Sequence, residues 1–237
     1  MKKNKKKWLA AVIALSLGFC FRQCLSDAYH YISQKLKEEN TDKIDWDLLQ
    51  EKNPDIYAWL CVPGTPIDHP VVQSQTEEEG FYLTHDVDKE ENIYGAIYTE
   101  KINKKDLTDP MTVVYGHNMR DGSMFGSLKK FADPDFFKEQ DKIIIYLPGN
   151  EVLTYQIAAA YEYPADHLIS TFDLQTEEKT DAYLQKVRGF AEQYGGNHRG
   201  QVQLKVPVVT LSTCTAGDSS FRYLVQGVLI DRKCSLP

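Results

Sequence analysis

The chain has 237 residues, a formal net charge of −7, 42% hydrophobic residues and 11% aromatics. That is enough apolar material for one ordinary domain with appendages, and it excludes a disordered chain. Five lysines at positions 2, 3, 5, 6 and 7 mask the balance elsewhere: −7 less their +5 leaves −12, an acidic body with no basic stripe, which excludes a general nucleic-acid binder.

The lysine cluster precedes an apolar run, Trp8–Phe21, interrupted only by Ser16 and Gly18. Fourteen residues span about 21 Å, short of a ~30 Å hydrocarbon core, a length that suits a signal-peptide core as well as an anchor. No small-x-small cleavage site follows, and Phe19 is bulky where a lipoprotein box before Cys20 wants a small residue. The run can extend through Leu25 with flanking lysines snorkelling, so an uncleaved anchor is the preferred reading. Lysines stay cytoplasmic, which places the body outside.

Ser26–Asn40 has a helical pattern, and Asp45–Lys52 adds a turn or two before Asn53-Pro54. Strands are expected at Ile56–Leu60, Ile67–Gln73, Gly95–Thr99 and Thr112–Tyr115. Asp133–Phe137 reads as a capped helical turn, and Lys142–Leu147 with Val152–Tyr161 flank a Pro148-Gly149-Asn150 hairpin turn. Thr176–Tyr194 is the one long helical segment of the body, opened by Thr-Glu-Glu-Lys and closed by Gly195-Gly196. Gln203–Thr213 and Phe221–Ile230 are the last strands. The plan is therefore 1–25 stub and anchor, 26–52 helical, and 53–237 a mainly β body, an antiparallel barrel or sandwich.

Five cysteines occur, at 20, 24, 61, 214 and 234. Two belong to the membrane segment or its edge, and the remaining odd set is too small for a disulfide scaffold. Whether Cys61 and Cys234 pair stays open in the sequence. With no CxxC and no Cys/His ligand spacing, no metal site is expected.

Cys214 closes the apolar, β-branched run Val208-Val-Thr-Leu-Ser-Thr-Cys214, and Thr215-Ala-Gly-Asp218 breaks the pattern after it. A thiol at the mouth of a core strand is held rigidly and opens to solvent, as a nucleophile requires. Cysteine is also simply a small hydrophobe that favours interiors. His117 has the same setting in Val113-Val-Tyr-Gly-His-Asn-Met119, with Gly116 easing the turn; the other five histidines lie in the N-terminal helix or among turn residues. Arg222 opens the final strand eight residues after Cys214, so a tight return brings the two strand ends together. Its guanidinium suits a developing oxyanion, although alone it reads as a solvated edge charge.

Tyr115-Gly-His-Asn-Met119, Thr210-Leu-Ser-Thr-Cys214 and Arg222 ahead of an aliphatic strand together resemble the class B sortases, exported cysteine transpeptidases of Gram-positive bacteria. Trp59-Leu-Cys-Val-Pro-Gly-Thr-Pro-Ile-Asp-His-Pro-Val-Val-Gln73 is similar to that family's Trp-Ile-x-Ile-Pro-Gly-Thr-x-Ile-x-Tyr-Pro-Val-x-Gln stretch, and Asp121-Gly-Ser-Met-Phe125 matches the pattern after the catalytic His. The resemblance covers about residues 45–232. It implies a closed antiparallel sortase-type β-barrel with N-terminal helices and a long helix inserted before the penultimate strand. It implies that Cys214 attacks the threonine carbonyl of a sorting signal, that His117 moves the amine protons and that Arg222 holds the oxyanion. Tyr115, Ser212 and Leu83 match positions around the sorting signal. No metal or cofactor is implied. The implied partners are secreted proteins with a C-terminal sorting motif and an acceptor amine, either of a cell-wall precursor or of a pilin lysine. The membrane is reached through the N-terminal anchor, with the catalytic body extracellular. Glu79, Thr99 and Thr215 depart from residues common in relatives, Asn, Asp and Glu or Asp respectively. The first and last put the sorting sequence in question.

Two other classes compete. A papain-like protease places its Cys on a helix N-terminus, the wrong place for a residue closing a strand. A non-catalytic surface-anchored binding module predicts that Cys214→Ala is harmless.

Overall fold

The computed structural model describes residues 44–200, 207–215 and 218–234. The basic stub, the apolar run and the helical pattern at Ser26–Asn40 lie outside the described residues. Among the described residues no helix is long and apolar enough to cross a membrane.

Helix α1, Trp46–Lys52, leads into strands β1 (Ile56–Cys61) and β2 (Asp68–Val72), joined by a turn that Val62 N–H closes on the Ile67 carbonyl at 3.0 Å. β3 (Ile97–Thr99) and β4 (Met111–Tyr115) follow. Then come helix α2 (Pro134–Glu139) and the long hairpin of β5 (Lys142–Leu147) and β6 (Glu151–Pro164). Helices α3 (Leu168–Phe172) and α4 (Glu177–Gln193) precede the short β7 (Asn197–His198), β8 (Val208–Thr215) and β9 (Asp218–Cys234).

The order β5-β1-β2-β3-β4-β8-β9-β6, with β6 returning to β5, closes eight strands into a barrel, and β7 hangs on β6 outside the ring. The barrel and the inserted helix are as the sequence led us to expect, but the pairing is mixed. Six junctions are antiparallel, while β2–β3 and β4–β8 are parallel. The physical reason is the length of the connections. Residues 73–96 and 116–207 are long enough to carry the chain back to the starting edge, which a parallel pair demands.

The local chemistry explains the boundaries. Asp133 accepts N–H bonds from Asp135 and Phe136 at the start of α2, and Thr176 accepts one from Lys179 at the start of α4. In the β5–β6 turn Gly149 and Asn150 have φ of 82° and 59°, the left-handed conformation that twisted hairpins favour.

Successive residues of a strand point to opposite faces. Val114, Val209, Leu211 and Val225 fill the barrel interior with Ile143 and Tyr155. Their neighbours Val113, Val208, Leu224 and Val228 point outward, where α3 and α4 cover them with Ile169, Tyr183, Leu184 and Val187. Over Val208–Leu211 β8 is therefore buried on both faces, which is why that stretch is continuously apolar or β-branched. Beneath α4 the polar members of this outer face bond to each other. Gln226 donates to Thr210 and to the Tyr183 hydroxyl, and accepts from Tyr161.

Candidate active site

The cover provided by α3 and α4 stops short of the strand ends. Along β8 the outward positions run Val208, Thr210, Ser212, Cys214; the first three are buried, and Cys214 is exposed. The uncovered end is a cleft of about 240 Å³ whose lining includes Tyr115, His117, Ser212, Cys214, Arg222 and Leu83. All six residues singled out from the sequence thus converge on one cavity, although they are scattered over 140 positions of the chain.

Cys214 and Arg222 are register partners across β8 and β9. Paired residues of an antiparallel ladder project to the same face with Cβ atoms about 5 Å apart. The eight-residue interval is therefore the tight return it was expected to be. Tyr115 and Ser212 are partners across the parallel β4–β8 junction, and Gly116 N–H continues that ladder to the Ser212 carbonyl at 3.3 Å.

Gly116 serves packing more than turning. A Cβ there would stand 2.4 Å from Ile97 Cδ1 and 2.9 Å from the Phe125 ring, so any side chain would push β4 away from its neighbours just before His117. Asn118 then donates from Nδ2 to the Cys214 carbonyl at 2.7 Å. This bond stitches the segment carrying the histidine to the strand carrying the thiol. Sequence reasoning missed Asn118 as a functional residue, although it stood inside the quoted Tyr-Gly-His-Asn string.

His117 Nε2 lies 2.6 Å from the Leu83 carbonyl. A carbonyl only accepts, so Nε2 carries the hydrogen, and Nδ1 is the nitrogen left for proton transfer. Leu83 therefore orients the imidazole through its backbone while its side chain lines the cleft mouth. The 3-10 turn Phe81–Leu83 that presents this carbonyl is anchored by the buried Tyr82. Tyr82 donates to Asp55 at 2.8 Å, and Asn53 donates to the Tyr82 hydroxyl at 2.9 Å. Burial opposes ionisation of Asp55, yet bonds from Lys89 and Tyr82 hold its carboxyl below the ordinary range.

One end of the cleft is polar in a way the sequence did not suggest. Glu100, directly after β3, accepts from His167 Nε2 at 2.6 Å and from the Tyr115 hydroxyl at 3.4 Å. Tyr98 and Tyr115 stack with centroids 5.3 Å apart. Burial, and after it the Glu100 charge, raises both phenols, while Arg222 opposes the rise. Both rings are therefore neutral hydrogen-bond donors throughout the physiological range. His167, which the sequence places among turn residues, lines the cleft and caps α3 by accepting from Ser170 N–H at 3.1 Å.

Of the departures from the family pattern, Glu79 accepts from Lys101 N–H at 3.1 Å, and Thr99 is buried between the Tyr57 hydroxyl and Gln73. Cys61 and Cys234 form no disulfide: Cys61 is buried in β1, and the Cys234 thiol reaches the Gly149 carbonyl. Among the described residues no cluster of three or more His, Cys, Asp or Glu could hold a metal.

Comparison with known proteins agrees with this geometry. The sortase domain model matches residues 60–230. Sortase B of Listeria monocytogenes is 35% identical over 187 residues, covering 78% of this chain and 73% of its own length. The crystal structure of Clostridium perfringens sortase B superposes with a TM-score of 0.69 at 31% identity, over 78% of this chain and 99% of that one. A Streptococcus pyogenes class B sortase involved in pilus biogenesis superposes with a TM-score of 0.68 at 27% identity, over 79% and 99%. A thiol and a guanidinium paired across two strand ends, beside a histidine in one cleft, sit on the fold these proteins share, and the chain belongs to the sortase family as a class B member, a cysteine transpeptidase.

Proposed function

We propose that Cys214, His117 and Arg222 perform the transfer. The Cys214 sulfur, as thiolate, attacks the carbonyl of a threonine in the donor's sorting signal. The carbonyl electron pair moves onto oxygen, and Arg222, paired opposite Cys214, is the charged donor that stabilises it. Collapse of this intermediate breaks the C–N bond. The departing amine takes a proton from His117 Nδ1, and a thioester to Cys214 remains. An acceptor amine then gives a proton back to Nδ1 and attacks the thioester, forming the new amide and releasing the sulfur. Tyr115, Ser212 and Leu83 flank the peptide. Asn118 and the Leu83 carbonyl keep the strand end and the imidazole in position. The observation that carries this reading is the Cys214–Arg222 pair opening into the cleft that also holds His117.

The donor is a secreted protein with a C-terminal sorting motif cut after Thr, and the acceptor is the amine of a cell-wall precursor. The likeness to the pilus-associated sortase keeps a pilin lysine as the second acceptor. The lysine-rich stub and the apolar run anchor the chain in the cell membrane, with the N-terminus inside and the barrel outside. The test is cleavage of quenched peptides carrying Asn-Pro-Gln-Thr-Asn, Leu-Pro-x-Thr-Gly and Ser/Pro-Pro-x-Thr-Gly by the full-length chain in detergent. Wild type cleaves after Thr, and Cys214→Ala does not. Cleavage that survives Cys214→Ala refutes the assignment. Deletion of the gene separates the acceptors: loss of one wall protein supports the precursor, and collapse of a pilus ladder supports the lysine.

A further inference from the structure

The surface beyond His117 carries a cation that neither the fold nor the transfer chemistry uses. On this side the cleft lining ends at Gly116 and His117; among the described residues none from 118 to 125 belongs to it. Those residues form a closed excursion. Phe125 N–H returns to the His117 carbonyl at 2.9 Å, Asn118 and Met124 are bridged, and Gly122 N–H closes a turn on the Met119 carbonyl at 3.1 Å. Arg120 stands at the corner of that turn and is exposed. It follows Asn118, whose amide touches the Cys214 carbonyl, by two residues, so at most about 7 Å of backbone separate it from the strand end that carries the thiol. The neighbouring Asp121 carboxylate is turned into its own loop, where it accepts from Ser123 N–H at 2.9 Å and from the Ser123 hydroxyl at 2.6 Å. From residue 77 to 125 the other cations are engaged. Lys89 pairs with Asp55 at 2.9 Å and Lys104 with Asp109 at 3.8 Å, Lys101 donates to the Glu77 carbonyl at 2.6 Å, and Lys105 lies over the Tyr57 ring. Among the described residues no carboxylate pairs with Arg120.

We infer that Arg120 is a specificity residue for the acceptor, binding a carboxylate that the acceptor carries within three or four residues of its attacking amine. The inference rests on the transpeptidase reading of the site. The acyl portion of the donor occupies the cleft, and one imidazole serves both the leaving and the entering amine, so both use the far side of His117. The entering molecule is the better occupant for Arg120. The departing segment is tethered to the donor until the bond breaks and needs no separate recruitment. The acceptor must be captured from outside, in competition with water, by a chain whose net charge is −7. That field repels an anionic acceptor, and a fixed guanidinium at the point of entry offsets the repulsion locally. It also meets a carboxylate with two parallel N–H groups, which orients as well as attracts. Backbone and side chain together reach about 12 Å, the length of three or four extended residues, which sets the distance between carboxylate and amine.

The experiment uses the full-length chain in detergent, the quenched sorting peptide it cleaves and acceptors built on tetraglycine amide. In three series Glu or Gln replaces the second, third or fourth glycine, which leaves the attacking amine unchanged. The transfer product is followed by mass-resolved chromatography, and kcat/KM for the acceptor is measured for wild type, Arg120→Gln and Arg120→Glu. At one position wild type favours Glu over Gln by about threefold, the size of an exposed ion pair, and about 1 M salt brings the ratio near one. Arg120→Gln also brings it near one, and Arg120→Glu inverts it, whatever the absolute rates. The wild-type ratio and its salt dependence need no variant to fold. Ratios near one in all three series, with the acceptors transferred, overturn the inference and leave the transpeptidase reading intact. So does a Glu preference that survives Arg120→Gln, or a Cys214 thioester that no acceptor peptide discharges. A pair of donors with Glu or Gln two residues after the Thr tests the other source of a carboxylate. If only their ratio responds to Arg120→Gln, the loop reads the departing segment and the inference falls. A wild type that forms no thioester on Cys214 with any donor counts against the underlying reading and takes the inference with it.

Discussion

The outer face of β4, β8, β9 and β6 is one continuous surface with two different halves. Under α3 and α4 it is a core: Val208, Thr210, Gln226 and Tyr161 meet Tyr183 and Val187 with their polar atoms bonded. Two residues further along β8 the same face is the cleft, with Ser212, Cys214 and Arg222. No change of fold separates them, only the point at which the helical cover ends. Stability belongs to the first half and chemistry to the second, and substitutions in the two halves should report on different quantities.

The largest effect expected is from Cys214→Ala, which removes the proposed nucleophile. Peptide turnover falls by at least about a thousandfold, and Tm stays within about 2 °C because an exposed side chain carries little packing. Arg222→Lys keeps the charge but loses the fork, and kcat falls about a hundredfold. In the covered half, Leu184→Ala costs about 3 kcal/mol in urea unfolding, since Leu184 is 2% exposed. Its folded fraction keeps kcat/KM within about threefold of wild type. A large loss of specific activity in Leu184→Ala would show that the two halves are coupled and break the comparison.

Asn118→Ala removes the bond to the Cys214 carbonyl, and kcat falls about fivefold with Tm little changed, the cost of one hydrogen bond of about 1 kcal/mol read through misplacement of His117. The smallest effect sits at the edge of the open half. The Asp55 carboxyl ionises more readily in the folded chain than in the unfolded one. Its contribution is therefore fully present above the unfolded value of about 3.9 and is lost as pH falls through the lower folded value. Tm curves of wild type and Asp55→Asn separated at neutral pH should converge below about pH 4. Curves that stay parallel into acid would remove Asp55 as the anchor of the Tyr82–Leu83 turn.

The elements that hold the site were legible in sequence because each is over-determined locally. Over Val208–Leu211 β8 is apolar or β-branched on both faces since both are buried, and α4 has a capping Thr176 and a left-handed Gly195 after it, with φ 70°. The direction of pairing was not legible. Period-2 alternation tells which residues share a face, not which strand lies alongside, so the parallel β2–β3 and β4–β8 junctions escaped it. The last strand was expected to stop at Ile230, yet β9 runs to Cys234 because Arg232 pairs with Glu151 on β6. Polar residues there read as strand ends only in the absence of their partner. His167 was passed over for a similar reason: its partner Glu100 lies 67 residues away, and nothing near position 167 announces the contact.

The most direct test of the account is intact-mass spectrometry of the full-length chain during turnover of a cleavable sorting peptide. The account predicts an adduct equal in mass to the acyl portion ending in Thr, mapped to Cys214, discharged by an added amine and absent in Cys214→Ala. Cleavage after Thr with no adduct on Cys214, or an adduct on another residue, would contradict it.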